Sequence, residues 1–389
     1  MSPGSVPSDV PSTPTTEPST APSPSPVPPL AEPPRWTSLT PNPIVTKPFS
    51  GIGNQFIFAI VAYGNGFVAV GEDFQFDGST DGPVTGAIWS SPDGLGWSRI
   101  DPASADLADV MIEHVATDGR RLVAIGTARP PGALLNDPTR IVWVSDDGRT
   151  WRRITSPPPF ERDISGIAGG PAGFVAWTGA GDTSSFYRSD DGTTWERVSD
   201  GGQPDGIVNA VAPYRGGFIA VGAHIPPRAP GASLTAGGPD DSKAAAWWSN
   251  DGRTWAPGKP DDGAGLYGLF VGSDGIIALG GSGCGGCVGP PVLWHSDDGR
   301  RWRLIGPDVG TMPTYGSDGA RIVRYDQHAG GLVSTSPDGI RWDLVPGHLD
   351  ADATYGFVVG PSGLLILESL PRSGARDQVD GGVLFVAAH

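Results

Sequence analysis

The most regular feature of the chain is a short apolar run that recurs with glycine at one or both ends. Four of these runs read GFVAVG, RLVAIG, GFIAVG and GIIALG, at 66–71, 121–126, 217–222 and 275–280. Continuous apolar runs of this length are typical of strands that are buried on both faces, and no stretch shows sustained helical periodicity. The pattern predicts an all-β protein built from short strands.

A heptapeptide of the form Ser-x-Asp-Gly-x-x-Trp follows these runs, and each copy is called a box below. The six boxes occupy 91–97, 145–151, 189–195, 249–255, 296–302 and 336–342. Each box lies between two predicted strands, so that one repeat holds four strands joined by hairpins. Box-to-box spacings of 40 to 60 residues are those of propeller blades.

Counting the apolar runs instead of the boxes gives a seventh unit. The run at 363–367 has the same form, but the sequence stops before a box, so the outer strand of this unit must come from elsewhere. Segment 35–39 fits the vacancy, because its Trp and Leu have the spacing of Trp302 and Ile305. We predict that residues 35–389 form a seven-bladed β-propeller of four-stranded antiparallel blades, the last blade closed by the N-terminal strand.

Residues 1–34 differ in composition from the rest of the chain. They contain no Lys or Arg and are rich in Pro, Ser and Thr, which predicts a disordered spacer. A spacer of this kind ahead of a Gly-rich β domain is typical of an exported, surface-tethered protein. We expect an extracytoplasmic protein whose export signal is not present in this chain. The alternative is a cytoplasmic protein with Met1 as its native start.

The charge of the chain restricts its partners. A net charge of −16, with scattered arginines, argues against nucleic acid. It also argues against anionic membranes, so we expect membrane contact only through an N-terminal anchor that has been removed. We expect a monomer without a cofactor.

The only two cysteines form the motif Cys284-Gly-Gly-Cys287. The chain has no second CxxC and no paired histidines, so it cannot assemble a four-ligand zinc site, and we expect no metal. A disulfide that closes one loop is the preferred interpretation.

The boxes have the composition of turns rather than of catalytic sites. Ser and Asp oxygens can accept the backbone N–H groups of the turn, Gly can adopt a positive φ, and Trp can fold back onto apolar neighbours. A carboxylate held in this way is not free for chemistry. The structural residues are therefore Asp93, Asp147, Asp191, Asp251, Asp298 and Asp338, with Trp97, Trp151, Trp195, Trp255, Trp302 and Trp342.

These heptapeptides resemble Asp boxes, also called bacterial neuraminidase repeats. Sialidases, xyloglucan-acting endoglucanases, sortilin-type receptors and a photosystem II assembly factor carry such repeats on propellers. The family form is Ser-x-Asp-x-Gly-x-x-Trp, one residue longer than here, and the Arg-Ile-Pro signature of sialidases is absent. The resemblance implies a sialidase-like propeller fold and does not assign an activity.

Function is expected on the face opposite the boxes, where the longest loops should lie at 73–86, 128–140, 224–244, 281–291 and 370–382. Polar and aromatic residues in the first strands, together with one loop arginine, are the candidate ligand-binding residues, although packing or solvation explains each one individually. They are Tyr267, Tyr315, Tyr355, Glu113, Asn209 and Arg162.

We expect a non-catalytic binding or scaffolding propeller that recognises a protein or a glycan through its non-repeating loops. The alternative is a sialidase-like glycoside hydrolase, which would need three convergent arginines beside a Tyr-Glu pair and an acid. No residue stands out as catalytic.

Overall fold

The computed structural model describes Met1 and residues 36–46, 48–75, 83–129, 139–179, 183–224, 242–281, 291–307, 313–327, 329–349, 354–360, 362–369 and 381–388. Apart from Met1, the predicted spacer lies outside these ranges, and so do both cysteines. The blades belong to one compact unit, Pro34–His389. In the described ranges all regular structure is β, and no helix could span a membrane.

Two short strands come first in the chain, β1 (Leu39–Pro41) and β2 (Val45–Thr46). The next three groups of four strands form blades 1 to 3. Blade 1 contains β3 (Asn54–Tyr63), β4 (Gly66–Phe74), β5 (Val84–Ser91) and β6 (Ser98–Arg99). Blade 2 contains β7 (Val110–Thr117), β8 (Leu122–Ala128), β9 (Arg140–Ser145) and β10 (Arg152–Arg153). Blade 3 contains β11 (Ile164–Gly170), β12 (Gly173–Thr178), β13 (Phe186–Ser189) and β14 (Glu196–Arg197).

The remaining strands form blades 4 to 7. Blade 4 contains β15 (Ile207–Tyr214), β16 (Gly217–His224), β17 (Lys243–Ser249) and β18 (Ala256–Pro257). Blade 5 contains β19 (Lys259–Pro260), β20 (Leu266–Val271), β21 (Ile276–Gly280), β22 (Val292–Ser296) and β23 (Arg301–Pro307). Blade 6 contains β24 (Thr314–Ser317), β25 (Ile322–Asp326), β26 (Leu332–Ser336) and β27 (Asp343–Val345). Blade 7 contains β28 (Thr354–Gly360), β29 (Gly363–Ser369) and β30 (Gly381–Ala388).

The seven sheets are arranged as a closed ring. Within each blade, successive strands pair antiparallel as a meander, except that β1 joins β30 in blade 7 and β19 pairs in parallel with β23 in blade 5. The first strand of every blade contacts the first strand of the next blade, and β28 contacts β3, which completes the circle. The first strands therefore line a central channel, and the short fourth strands lie at the rim. The predicted seven-bladed propeller is confirmed.

The N-terminal strand closes the last blade, as the sequence predicts. β1 pairs antiparallel with β30, with Leu39 opposite Ala388 and Pro41 opposite Val386. β2 adds to the same strand. β1 covers Leu39–Pro41, so it begins at the end of the predicted segment 35–39, and the backbone N–H of Leu39 donates to the carbonyl of Pro346 in blade 6.

All six boxes form the same hydrogen-bonded turn. The serine Oγ accepts the backbone N–H of the box glycine at 2.7–2.9 Å. The aspartate Oδ1 accepts the next two backbone N–H groups at 2.7–3.3 Å. The hydrogen bond from the Thr150 backbone holds the pKa of Asp147 at about 2. The pKa of each of the six box aspartates is lowered, so all six are ionised at neutral pH, and Oδ1 of each is engaged in its turn.

Each box glycine packs on the blade that precedes it around the ring. The φ angles of the six glycines lie between 71° and 78°, where a side chain is strained. A Cβ on Gly192 would lie 2.3 Å from Val123 of blade 2, and a Cβ on Gly299 would lie 2.1 Å from Ile219 of blade 4. The other four meet Val68, Val175, Ile277 and, across the closure, Phe385 within 3.1 Å. Each box therefore fastens its own blade to a neighbour.

Blade 7 has no box, and the N-terminal segment covers blade 6 in its place. Val323 of blade 6 is the second-strand position that a seventh box glycine would cover. Trp36 and Leu39 belong to the buried cluster that contains Val323. Trp36 is 5% exposed and lies under the guanidinium of Arg321, 4.5 Å from its ring centroid. The segment thus supplies the outer strand of blade 7 and also the contact with blade 6 that a box makes at the other interfaces.

The close approach of box glycines predicts a specific cost for adding one methyl group. Gly192→Ala should lower the free energy of unfolding by about 1–3 kcal/mol more than Gly216→Ala. The reason is that only the methyl group added at position 192 meets a packed side chain. Gly216 is the matched control, since its φ is 84° and nothing lies within 4 Å of its Cβ position. Urea unfolding measures both values. Equal losses would contradict an interblade role for the box.

The closure predicts that stability depends on residues 36–41. Deletion of residues 1–40 should lower the free energy of unfolding by about 3 kcal/mol or more, since it removes the buried Trp36 and Leu39. Deletion of residues 1–33 is the control and should leave stability unchanged. Thermal and urea unfolding test both chains, and equal stabilities would exclude the closure.

Candidate functional site

Six of the seven first strands contain a β-bulge at the same place. The unpaired residues are Phe58, Glu113, Ser165, Asn209, Tyr267 and Tyr355. Each lies within the first five residues of its strand, and therefore near the face opposite the boxes, called the loop face below. A bulge redirects one side chain and is common beside binding sites. These six positions are called the bulge ring.

Four of the bulge residues are exposed to solvent although their strands are packed, and Glu113 is half-buried. Phe58, Ser165, Asn209 and Tyr267 are each the one exposed residue of a first strand. Phe58 is 45% exposed and Tyr267 is 52% exposed, which is unusual for aromatic residues in the middle of a propeller. Because first strands surround the channel, these side chains line its mouth at the loop face.

Glycine on the second strand allows the bulges to form. A Cβ on Gly71 would lie 1.8 Å from the carbonyl oxygen of Phe56, the residue two before the bulge. Gly126 and Gly222 have equivalent contacts, at 2.2 Å from the Met111 carbonyl and 1.9 Å from the Ile207 carbonyl. In blades 1, 2 and 4 the glycine at the end of the apolar run therefore makes room for the bulge opposite to it, whereas blade 3 has Thr178 at this position.

Hydrogen bonds tie neighbouring bulges together. The Asn209 amide Nδ2 donates to the carbonyl of Leu266, directly before Tyr267, at 2.6 Å. The His114 ring Nε2 lies 2.8 Å from the carbonyl of Ile164, directly before Ser165. Burial lowers the pKa of His114, so its ring is neutral near pH 7 and donates there. The bulge ring is thus fixed between blades 2 and 3 and between blades 4 and 5.

A charged cluster adjoins the bulge ring at blade 2. The Glu113 carboxylate accepts the hydroxyl of Thr127 at 2.5 Å and lies 3.4 Å from the guanidinium of Arg140. Arg140 also contacts Asp163 and Thr127. Arg140 has only 7% of its side chain exposed, whereas Glu113 has 30% and Asp163 has 80%, so a buried guanidinium holds two carboxylates that water can reach.

Glu72 is the second carboxyl group of this cluster. It is 7% exposed, its Oε2 has no hydrogen-bond partner within the described part of the chain, and Arg129 lies 4.0 Å away. Burial raises the pKa of Glu72, the charge of Arg129 opposes that shift and the charge of Glu113 adds to it. Glu72 and Glu113 are therefore two interacting carboxyl groups in unlike environments.

The structure brings together some of the predicted ligand residues and separates others. Tyr267, Asn209 and Glu113 lie in the bulge ring, and Tyr355 occupies a bulge position, with its side chain outside the described part. Tyr315 is 6% exposed and packs between Phe270 and Trp342, at centroid distances of 5.6 and 6.0 Å. It belongs to the core between blades.

Arg162 and the predicted long loops are the remaining candidates for ligand binding. Arg162 is exposed in the link that leads to β11. The loops are largely outside the described ranges, and the predicted Cys284–Cys287 disulfide falls there as well. Their parts in binding stay predictions.

Phe58 and Ser165 are bulge-ring residues that sequence reasoning missed. Phe58 resembles an ordinary core residue in an apolar strand, and Ser165 is too small to stand out. A regular spacing could have found both, because every bulge residue lies thirteen positions before the residue opposite its bulge. That residue is Gly71 for Phe58, Gly126 for Glu113, Thr178 for Ser165, Gly222 for Asn209 and Gly280 for Tyr267.

The described residues contain no group of three or more His, Cys, Asp or Glu side chains placed to hold a metal ion. At the channel mouth, the described residues offer aromatic faces, an amide, hydroxyl groups and carboxyl groups.

Comparison with known proteins establishes the fold and nothing finer. No protein-family model matches the chain, and no curated protein is similar to it in sequence. The β-propeller domain of the trilobed protease from Pyrococcus furiosus matches with a TM-score of 0.50 and 12% identity, over 85% of this chain and 97% of that one. That domain has an open velcro topology. The present ring differs from it, because β1 closes blade 7.

Two further solved structures are similar to the chain. Acylaminoacyl peptidase from Pyrococcus horikoshii matches with a TM-score of 0.50 and 11% identity, over 84% of this chain but only 52% of the peptidase. A sialidase from Trypanosoma rangeli matches with a TM-score of 0.42 and 12% identity, over 86% of this chain and 55% of the sialidase. At these identities the comparisons assign no activity to the chain.

Proposed function

We propose that this chain is a non-catalytic binding propeller that captures a neutral glycan at the mouth of its channel, outside the cytoplasm. The observation that carries the proposal is the bulge ring. It repeats in position around the channel but not in residue type, whereas the boxes repeat in both. Positions that share a backbone irregularity and differ in side chain are suited to recognition on a rigid scaffold.

The residue types in the bulge ring fit a sugar. Phe58 and Tyr267 offer exposed aromatic faces, against which the C–H face of a pyranose can pack. Asn209, Ser165 and Glu113 offer an amide, a hydroxyl and a carboxylate for hydrogen bonds to sugar hydroxyl groups. A concave site with few polar groups between aromatic residues is typical of small-ligand binding.

The charges near the channel mouth favour a neutral ligand. Arg129 and Arg140 are already paired with the carboxyl groups of Glu72, Glu113 and Asp163. Neither guanidinium is therefore free to bind the carboxylate of an acidic sugar. The net charge of −16 also repels anions at long range. A protein partner with a polar surface is the alternative ligand for the same mouth.

The location outside the cytoplasm and the Asp-box nature of the heptapeptides are parts of this proposal. The Pro-, Ser- and Thr-rich composition of residues 1–34 supports an exported protein. The turn hydrogen bonds and the form Ser-x-Asp-Gly-x-x-Trp support the Asp-box assignment.

One observation favours a glycoside hydrolase as the second candidate function. Glu72, with its raised pKa, and Glu113, held beside Arg140, are carboxyl groups whose environments differ. A proton donor and an ionised partner at a sugar-binding mouth are the elements of glycosidic bond cleavage. Glu72 is nevertheless 93% buried, which favours the binding function.

The bulge ring predicts which residues determine binding. The full chain would be tested on an array of neutral and sialylated oligosaccharides, and the best neutral ligand titrated by calorimetry. Phe58→Ala with Tyr267→Ala should weaken binding at least tenfold, about 1.4 kcal/mol, because two exposed aromatic faces are lost. Ile340→Ala with Leu344→Ala is the matched control, since both side chains are exposed and belong to the box and outer strand of blade 6.

Three outcomes would contradict the proposal. The first is an equal loss of affinity in the control, the second is binding of sialylated oligosaccharides alone, and the third is binding to no oligosaccharide. Fluorogenic glycosides separate the two candidate functions. Turnover that Glu72→Gln abolishes would establish the hydrolase and exclude a non-catalytic role.

A further inference from the structure

Blade 5 carries an extra strand that brings basic residues together. The short strand β19 pairs in parallel with β23, with Lys259 opposite Arg301 and Pro260 opposite Trp302. It is the one parallel pairing in the described sheets. The backbone N–H of Leu304 donates to Asp261 Oδ2 at 2.9 Å and fixes the link beside the edge of the blade.

The register of these strands places four basic side chains on one face of the sheet. Lys259 and Arg301 are direct partners, so both project to the same side. Arg303 lies two residues after Arg301 and therefore shares that side. His295 is the direct partner of Arg303 on β22. Like charges directly opposite one another destabilise a sheet. This arrangement therefore lowers the stability of the blade unless an anion lies beside the charges.

A cleft opens where these side chains meet. Its volume is about 280 Å³, and its lining includes Lys259, Arg301, Arg303 and His295. None of the three cations has an ion-pair partner within 4.0 Å among the described residues. Among the described residues, most other arginines lie beside a carboxylate, as Arg121 does beside Asp146 and Arg253 beside Asp190.

The acids in the cleft neutralise it only in part, because two carboxylates, those of Asp261 and Asp297, lie among three cations. Asp261 is engaged with the backbone of Leu304. Asp297 has 84% of its side chain exposed, and its Oδ1 lies 3.6 Å from His295 Nε2, beyond hydrogen-bond distance. His295 is 1% exposed, and the backbone of Asp338 in blade 6 lies beside its ring, although its Nε2 forms no hydrogen bond of normal geometry within the described part of the chain. A buried ring nitrogen without a partner is costly unless a ligand meets it.

We propose that this cleft is a binding site for a compact oxyanion group, such as phosphate, sulfate or a carboxylate. Guanidinium and ammonium groups supply charge-assisted hydrogen bonds from one side, and the imidazole supplies one donor at the base of the cleft. The volume accommodates such a group with a small substituent and is below the usual range for a drug-sized ligand. The site is separate from the bulge ring and does not rest on glycan binding.

The test uses the full chain and three simple anions. Sodium phosphate, sodium sulfate and sodium acetate are each titrated by calorimetry at pH 7, with sodium chloride keeping the ionic strength constant. At least one anion should bind saturably to one site. Arg301→Gln with Arg303→Gln should weaken that binding at least tenfold. The anion that binds most tightly distinguishes a phosphate, sulfate or carboxylate ligand.

The control removes two cations elsewhere. Arg149→Gln with Arg152→Gln changes the net charge equally, at exposed positions in and beside the box of blade 2, and should leave anion affinity unchanged. Lys259→Gln is a second cleft variant, and melting temperatures in chloride establish that all variants are folded. Equal weakening in the control, or no saturable binding of any of the three anions, would overturn the proposal.

Discussion

The contact between each box glycine and the blade before it is the constraint on which the ring depends. A propeller blade is a small twisted sheet that cannot bury both faces alone, so it is stable only against its neighbours. In six blades the turn between the third and fourth strands reaches the second strand of the neighbour. The glycine allows the approach, and the serine and aspartate keep the turn in shape. Six contacts of one kind thus orient six of the seven blade interfaces.

The seventh interface shows the same constraint met by different residues. The segment around Trp36 packs with Val323 and then enters blade 7 as its outer strand. The repeat needs a covered second strand at every interface, and any apolar group with the right geometry can cover it. This division also separates the two faces of the propeller. The residues of the boxes hold neighbouring blades together and therefore repeat, whereas the residues at the channel mouth and on the loop face can differ from blade to blade.

The fold could be predicted from the sequence because its signals are local and repeated. Apolar runs marked strands, boxes marked turns, and the missing outer strand of blade 7 required a strand from elsewhere in the chain. The bounds of β1 were harder to predict from the sequence, because Trp36 is buried by Arg321 and by its neighbours in the cluster, and not by pairing with another strand. Spacing alone therefore placed the strand too early.

The candidate site was predictable only where polarity broke an apolar pattern. Glu113 and Asn209 were visible for that reason. Phe58 was not, since only a bulge turns it from the core to the channel. Tyr315 was misleading because it shares the residue type of Tyr267, whereas β24 pairs without a bulge and leaves it between blades. The cleft of blade 5 depends on the parallel register of β19, which no local signal reveals.

Hydrogen exchange of the box amides tests the central claim most directly. Backbone N–H groups such as those of Gly148, Arg149 and Thr150 lie in surface turns but donate to Ser145 or Asp147. If the boxes hold the ring together, these amides should open only with the whole domain, and their opening free energy should equal that of global unfolding. Exchange as fast as that of the plain hairpin turn at Arg215 and Gly216 would contradict the account.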